Sequence, residues 1–285
     1  MIAGTVLGMI IFVVIPLLWI MRWCLFSYKG FGTVKFVGLK NFIRVFSSTS
    51  SKYWLSVGNT FVFAIGKLLV ESPLALVLAF ILTKKIRGRD FFRSVFFMPS
   101  MLSVAVIGVV FTYLFNHNQG VVNSAIRLLG GEGVKWFSGG TSAMIMLMIA
   151  SIWQNFGINM LFFMTGLQAI PPEMYEAASI DGASKLRCCV TVVMPVAKPG
   201  LAVVLMQTFL SCWNEVLMAR IFISDTKVQP LSVIPIRFAQ TISSRGFTQE
   251  LAFAALVICL APIVVFYVFA AKSLIAGLTA GAVKG

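Results

Sequence analysis

The residues that could do chemistry in this chain are few, and most stand inside apolar runs. Lys67 and Glu71 lie four residues apart in one such run, so on a helix they sit on one face a single turn apart. A charge at the bilayer centre costs on the order of 3 kcal/mol on insertion scales. The pair is therefore expected to neutralise itself, although Lys before Glu is the weaker order. It could tie a helix bundle together or line a polar path, or Lys67 could snorkel towards the headgroups. Trp213, Asn214 and Glu215 join an apolar ring face to hydrogen-bonding groups, which is what a sugar requires. The same carboxylate could equally bond a neighbouring helix. Trp153, Gln154, Asn155 and Asn159 pose that choice again, with Asn155 and Asn159 on a shared face.

Other chemistries find no support in the residues. The pattern Gly-x-x-x-x-Gly-Lys-Ser is absent, so no phosphate-cradling loop for ATP is encoded. No nucleophile and base stand at a persuasive spacing, so no catalytic residue is assigned. The five cysteines, Cys24, Cys188, Cys189, Cys212 and Cys259, lack metal-ligand spacing, and His117 is the single histidine. Small apolar packing residues are the better reading of those thiols. The chain is thus expected to be a non-enzyme with no cofactor or metal of its own.

The elements that must position these residues are set by hydropathy. The 285 residues are 59% hydrophobic and 11% charged, with a mean hydropathy of +0.95. An average soluble domain carries about 25% charged residues. Six apolar runs reach the ~20 residues that a membrane-crossing helix needs. They fall at about 5–26, 57–82, 95–115, 143–167, 201–222 and 251–275. Helices are required, because lipid cannot satisfy an open strand edge. The expected fold is all-α, a single polytopic membrane domain over residues 1–285 with six transmembrane helices. Residues 1–20 lack a basic leading region and a convincing cleavage site, so they read as a retained first span.

The net charge of +14 does not indicate nucleic acid. Lys and Arg cluster beside apolar runs, where they meet headgroups, and no aromatic-interleaved basic groove accompanies them. Lys84, Lys85, Arg87 and Arg89 are read as a topology anchor, with a contact to a soluble partner as the sharper alternative. Apart from Lys67, the basic residues divide almost evenly between the two sides, so their count does not choose an orientation.

One polar stretch is too ordered for a plain connector. In residues 168–200, Pro171 and Pro172 either stop the fourth helix or open a new one, and Glu173 and Glu176 then lie in first turns, near a positive helix end. Ala177 and Ala178 permit close approach by a partner. Asp181-Gly182 is a turn signal, and residues 183–193 can form a second short helix closed by Met194-Pro195. A helix, a sharp turn and a second helix make a projecting knob.

Glu176-Ala177-Ala178, three residues, Gly182, nine residues, then Val192-x-Met194-Pro195 resembles a signature written EAA, three residues, G, nine residues, I-x-L-P. That signature belongs to membrane subunits of binding-protein-dependent ABC importers. Val for Ile and Met for Leu are the departures. The resemblance extends to Phe36-Val37-Gly38-Leu39-Lys40-Asn41-Phe42, Asn59-Thr60, Phe92-Arg93-Ser94 and Met98-Pro99, which look like sugar-type permeases. The front half is nearer the first (F-type) subunit of the maltose-type group, and the Trp213-Asn214-Glu215 stretch and the tail, from Gly277 to Gly285, look like the second (G-type).

The resemblance implies a type I importer permease fold in the bacterial inner membrane, with both termini and the 168–200 loop in the cytoplasm. It implies that Glu173, Tyr175, Glu176, Ala177, Ala178, Asp181, Gly182, Ala183 and Pro195 form a coupling helix seated in a groove on an ATPase. The expected partners are a second, similar permease, two ATPase subunits that bind ATP and Mg, an extracytoplasmic solute-binding protein and membrane lipids. Asn155, Asn159, Trp213, Asn214 and Glu215 are the expected contacts of a carbohydrate in the path. A non-sugar solute such as a polyamine or phosphate, or an ATP-independent transporter, are the alternatives.

Overall fold

A computed structural model describes residues 2–27, 33–47, 52–84, 86–168, 198–245 and 249–282. Among them, four helices are long and apolar enough to cross a bilayer. α1 is Ala3–Trp23, followed by a two-stranded antiparallel hairpin, β1 Phe26–Ser27 and β2 Lys35–Phe36, in which Phe26 pairs with Phe36. Next come α2 Lys40–Ser47, α3 Tyr53–Thr83, α4 Arg89–Phe97, α5 Val104–Leu114 and α6 Val121–Leu128. α7 is Gly140–Gln168, α8 Lys198–Trp213, α9 Leu217–Phe222, α10 Ile234–Arg245 and α11 Gln249–Ala282. The long apolar helices are α1, α3, α7 and the Gln249–Val268 part of α11.

Two expected spans are not the unbroken helices that hydropathy implies. The run at 95–115 is α4, a 3-10 turn at Met98–Met101 and α5, with a 98° bend between Met101 and Val104. Pro99 accounts for the change from α-helix to 3-10 turn, because its ring removes a donor and clashes with the carbonyl four residues back. Leu102 and Ser103 then adopt extended backbone, with ψ of 144° and 137°. The run at 201–222 is α8 and α9, separated by residues 214–216. There a Glu side chain offers the backbone an alternative partner to the helix ladder, as described below. Pro73, by contrast, leaves α3 continuous.

The chain divides into two compact units. One comprises residues 1–60 and 227–265. In it Thr60 accepts a hydrogen bond from the Leu231 amide at 2.8 Å, and Asn59 donates to the carbonyls of Lys227 and Gln229 at 2.8 and 3.2 Å. Leu231, Val233 and Ile234 are buried there, as are Leu251, Ala254 and Ala255 of α11.

The other unit comprises residues 61–226 and 266–285. Ala75, Ala79 and Leu82 of α3 pack with Met160, Phe163, Met164 and Leu167 of α7 and Val204 of α8. The small alanines let α3 and α7 approach closely, the usual device where lipid offers helices no hydrophobic reason to associate. Gly157 allows a closer contact still. A Cβ on it would lie 2.0 Å from the Phe96 carbonyl oxygen, so α7 packs backbone to backbone on the end of α4. On the same unit Phe111 of α5 meets Phe222 of α9, ring centroids 6.4 Å apart.

Candidate functional site

The polar residues of the spans gather in the 61–226 unit. α3 supplies Lys67 and Glu71, both wholly buried. Lys67 Nζ lies 3.5 Å from Glu71 Oε2 and donates to Ser211 Oγ of α8 at 3.1 Å. Asn159 of α7 donates from one amide nitrogen to Glu71 Oε1 and to Thr208 Oγ1 of α8, the latter at 3.2 Å. Three helices are thus joined by one knot of five side chains. Lys67 does not snorkel; its ammonium ends inside the protein. An ion pair of this kind persists in an apolar bundle only when hydrogen bonds complete it, and Asn159 and Ser211 supply them.

Asn155, one turn before Asn159, is half-buried and donates to the Ser151 carbonyl of its own helix at 2.8 Å. The shared helical face therefore splits by depth. Asn159 is buried and committed to the knot, while Asn155 is half-buried and bonds only to its own helix among the described contacts. Gln154 is buried and donates to the Leu102 carbonyl at 3.2 Å. That oxygen lies at the bend between α4 and α5, where the missing helical turn leaves it without a ladder partner. Trp153 is exposed on the opposite side and stacks obliquely on Phe111, centroids 5.6 Å apart.

The Trp213-Asn214-Glu215 stretch sits at the second break. Trp213 is buried, its ring 6.3 Å from that of Phe61 and 5.4 Å from that of Phe209. Asn214 is exposed. Glu215 is buried, and its Oε1 accepts the Met218 amide at 3.1 Å in the first turn of α9. A carboxylate suits the positive end of a helix, and this bond satisfies an amide that the break would orphan. Glu215 thus holds the break open, and the neighbouring Asn214 stands out from it.

Gln207 is exposed and Ser211 half-buried on α8, and they fall in register with Asn214 at i, i+4 and i+7. They form a polar strip on one face of the C-terminal half of α8 and just beyond it, and Ser211 connects that strip to Lys67. Sequence reasoning passed over Gln207, Thr208 and Ser211. Hydroxyls in spans commonly bond back to their own helix, as Thr60, Thr83 and Thr112 do here, so their presence alone signals nothing. The i, i+4, i+7 spacing was the available clue.

Glu173, Tyr175, Glu176, Ala177, Ala178, Asp181, Gly182, Ala183 and Pro195 lie outside the described residues. Lys84 is described, its ammonium 4.5 Å from the Phe80 ring.

Residues 71–279 match the family described as "Binding-protein-dependent transport system inner membrane component". The arabinooligosaccharides transport system permease protein AraP of Bacillus subtilis is 33% identical over 170 residues, covering 59% of this chain and 53% of that protein. The sn-glycerol-3-phosphate transport system permease protein UgpA of Agrobacterium fabrum is 38% identical over 166 residues, covering 58% and 55%. The chain thus spans about half the length of these curated relatives. Their names describe transport permeases rather than enzymes. In fold, the chain resembles a subunit of a bacterial ABC transporter involved in alginate import, with a TM-score of 0.77, 18% identity and coverage of 98% and 94%. With its several bilayer-length apolar helices, the chain belongs to the inner membrane components of binding-protein-dependent transport systems.

Proposed function

We propose that this chain is the membrane-spanning subunit of an ATP-driven importer and forms the path for a carbohydrate handed over by an extracytoplasmic binding protein. The observation that carries this reading is the Glu176-to-Pro195 signature, which falls inside the matched residues 71–279. Relatives named for arabinooligosaccharides and for trehalose and maltose support the choice of a sugar.

In this reading the 168–200 knob lies in the cytoplasm, with both termini, and seats on one of two ATPase subunits that bind ATP and Mg. A second, similar permease completes the path. Closure of the ATPase pair on ATP pushes the knob, and the bundle moves between inward-open and outward-open states, a two-state equilibrium biased by nucleotide. Asn214, Asn155 and the Gln207–Ser211 strip offer hydrogen bonds to hydroxyls, while the Trp213 ring, expected to face the solute, is instead buried against Phe61 and Phe209 and braces the break from within. Glu215 supports Asn214 by keeping the break in place. Lys67, Glu71 and Asn159 hold α3, α7 and α8 together behind that surface.

The test is uptake into proteoliposomes containing this chain, its partner permease, the ATPase pair and the binding protein. An ATP-dependent accumulation of a labelled di- or oligosaccharide is expected. Accumulation by the permeases without any ATPase would overturn the proposal. A second reading, a phosphorylated polyol, is favoured by the 38% identity to a permease named for sn-glycerol-3-phosphate. The same vesicles distinguish it, because glycerol phosphate then competes where maltose does not.

A further inference from the structure

α2 presents three different faces. Asn41 and Val45, one turn apart, are buried. Leu39, in the turn that opens the helix, then Ile43 and Phe46 recur at i, i+4 and i+7 and are exposed, to 64%, 60% and 38%. Lys40 and Arg44, also one turn apart, are exposed beside that apolar strip. A helix bathed in water gains nothing from aligning Leu, Ile and Phe on its outer side. A helix lying in the headgroup layer does, because its apolar face enters the acyl boundary while its cations stay level with phosphate.

Asn41 fixes the depth of this helix. Its amide donates to the carbonyls of Cys24 and Phe26 at 2.8 and 2.9 Å. Cys24 directly follows a 21-residue apolar span, so these carbonyls mark where that span leaves the hydrocarbon. Aromatic rings gather at the same level. Trp19 and Trp23 lie 6.4 Å apart, Trp23 and Phe26 6.2 Å, and Phe26 and Phe36 5.4 Å. The Arg22 guanidinium sits 6.0 Å from the Trp19 ring and 5.9 Å from the Phe26 ring. Such a belt is characteristic of the bilayer–water boundary.

Charge selects the lipid. No Asp or Glu occurs before Glu71, whereas Arg22, Lys29, Lys35, Lys40, Arg44 and Lys52 fall between the first two spans or at their edge. Arg22, Lys35, Lys40 and Arg44 are exposed. We infer that α2 and the adjoining hairpin form an interfacial binding surface for anionic phospholipid, with Lys40 and Arg44 at the phosphates and Leu39, Ile43 and Phe46 in the acyl boundary. A zwitterionic headgroup would leave the cation row without net attraction, and a protein partner would have no need of the headgroup depth that Asn41 imposes.

The full-length chain in nanodiscs of equal phosphatidylglycerol and phosphatidylcholine tests this. One lipid at a time carries a photoreactive headgroup, and labelled peptides are mapped by mass spectrometry. The phosphatidylglycerol probe is expected to label residues 36–46 well above the phosphatidylcholine probe. In the Lys40→Gln/Arg44→Gln variant that labelling should fall by at least about fivefold, given the attraction of each juxtamembrane cation to an anionic surface. Equal labelling by the two probes, or absence of label over 36–46, overturns the inference. So does a cross-link from a benzoyl-phenylalanine at position 43 to a second polypeptide in place of lipid. The comparison of probes on the unsubstituted chain decides the matter even if a variant folds poorly.

Discussion

Removing one member of the Lys67–Glu71 pair should cost far more than removing both. The two groups are wholly buried and 3.5 Å apart. At the effective dielectric of 20 that reproduces most protein charges, their attraction is about 5 kcal/mol. Lys67→Met leaves the Glu71 carboxylate in the bundle with Asn159 as its hydrogen-bond donor, so a loss of about 3–5 kcal/mol is expected. Lys67→Met/Glu71→Leu removes the charge altogether and should stay within about 1–2 kcal/mol of the parent, since apolar pairs of similar volume replace buried ion pairs at little cost. With a similar cost for Glu71→Leu alone, the double-mutant cycle should therefore return a coupling of roughly 4–9 kcal/mol. Thr208→Val, which removes one neutral hydrogen bond in the same knot, should cost only about 0.6 kcal/mol, the average for such bonds inside membranes. Denaturant titration in detergent micelles, followed by circular dichroism at two salt concentrations, measures all of these. A buried pair is hardly screened, so salt should not change the coupling. A Lys67→Met variant within about 1 kcal/mol of the parent, or a double variant as unstable as the single, would refute the reasoning.

Gly157→Ala should destabilise by about 1–3 kcal/mol, because its Cβ meets the Phe96 carbonyl oxygen at 2.0 Å and backbone must move; a melting curve unchanged by the methyl would exclude that contact. Gln154→Leu should cost about 1–3 kcal/mol by leaving the Leu102 carbonyl unpartnered at the bend, which the same melts measure. Glu215→Ala should reduce uptake or shift its selectivity with assembly intact, since Asn214 is displaced when the α9 amide loses its acceptor. Loss of assembly in a pull-down of the partner subunits would assign Glu215 a purely structural role. Gly182→Leu should uncouple ATP hydrolysis from uptake, as read from phosphate release and solute accumulation in one preparation, and normal coupling would remove the turn from the mechanism.

Much of this protein is written in composition and spacing. Apolar runs of bilayer length dictate helices, because hydrocarbon offers backbone groups no other partner. Their approximate positions follow, as do the family signature and the pairing distance of Lys67 with Glu71. What spacing could not supply is where two of those runs cease to be helices. Pro73 and Pro99 look alike in sequence, yet α3 continues through one, whereas at the other the helix gives way to a 3-10 turn and the chain bends by 98° just beyond it. The difference lies in neighbours. Gln154, from a helix 52 residues away, supplies the donor that the bend requires. Sequence also placed Asn155 and Asn159 on one face without revealing that they divide by depth, one half-buried and bonded to its own helix and one bound to a carboxylate 88 residues earlier. Periodicity is a property of one helix, and it settles which residues lie together along that helix. Only packing of α3, α7 and α8 decides which polar groups find partners, because each hydrogen bond in the knot needs donors and acceptors from different helices at the same depth.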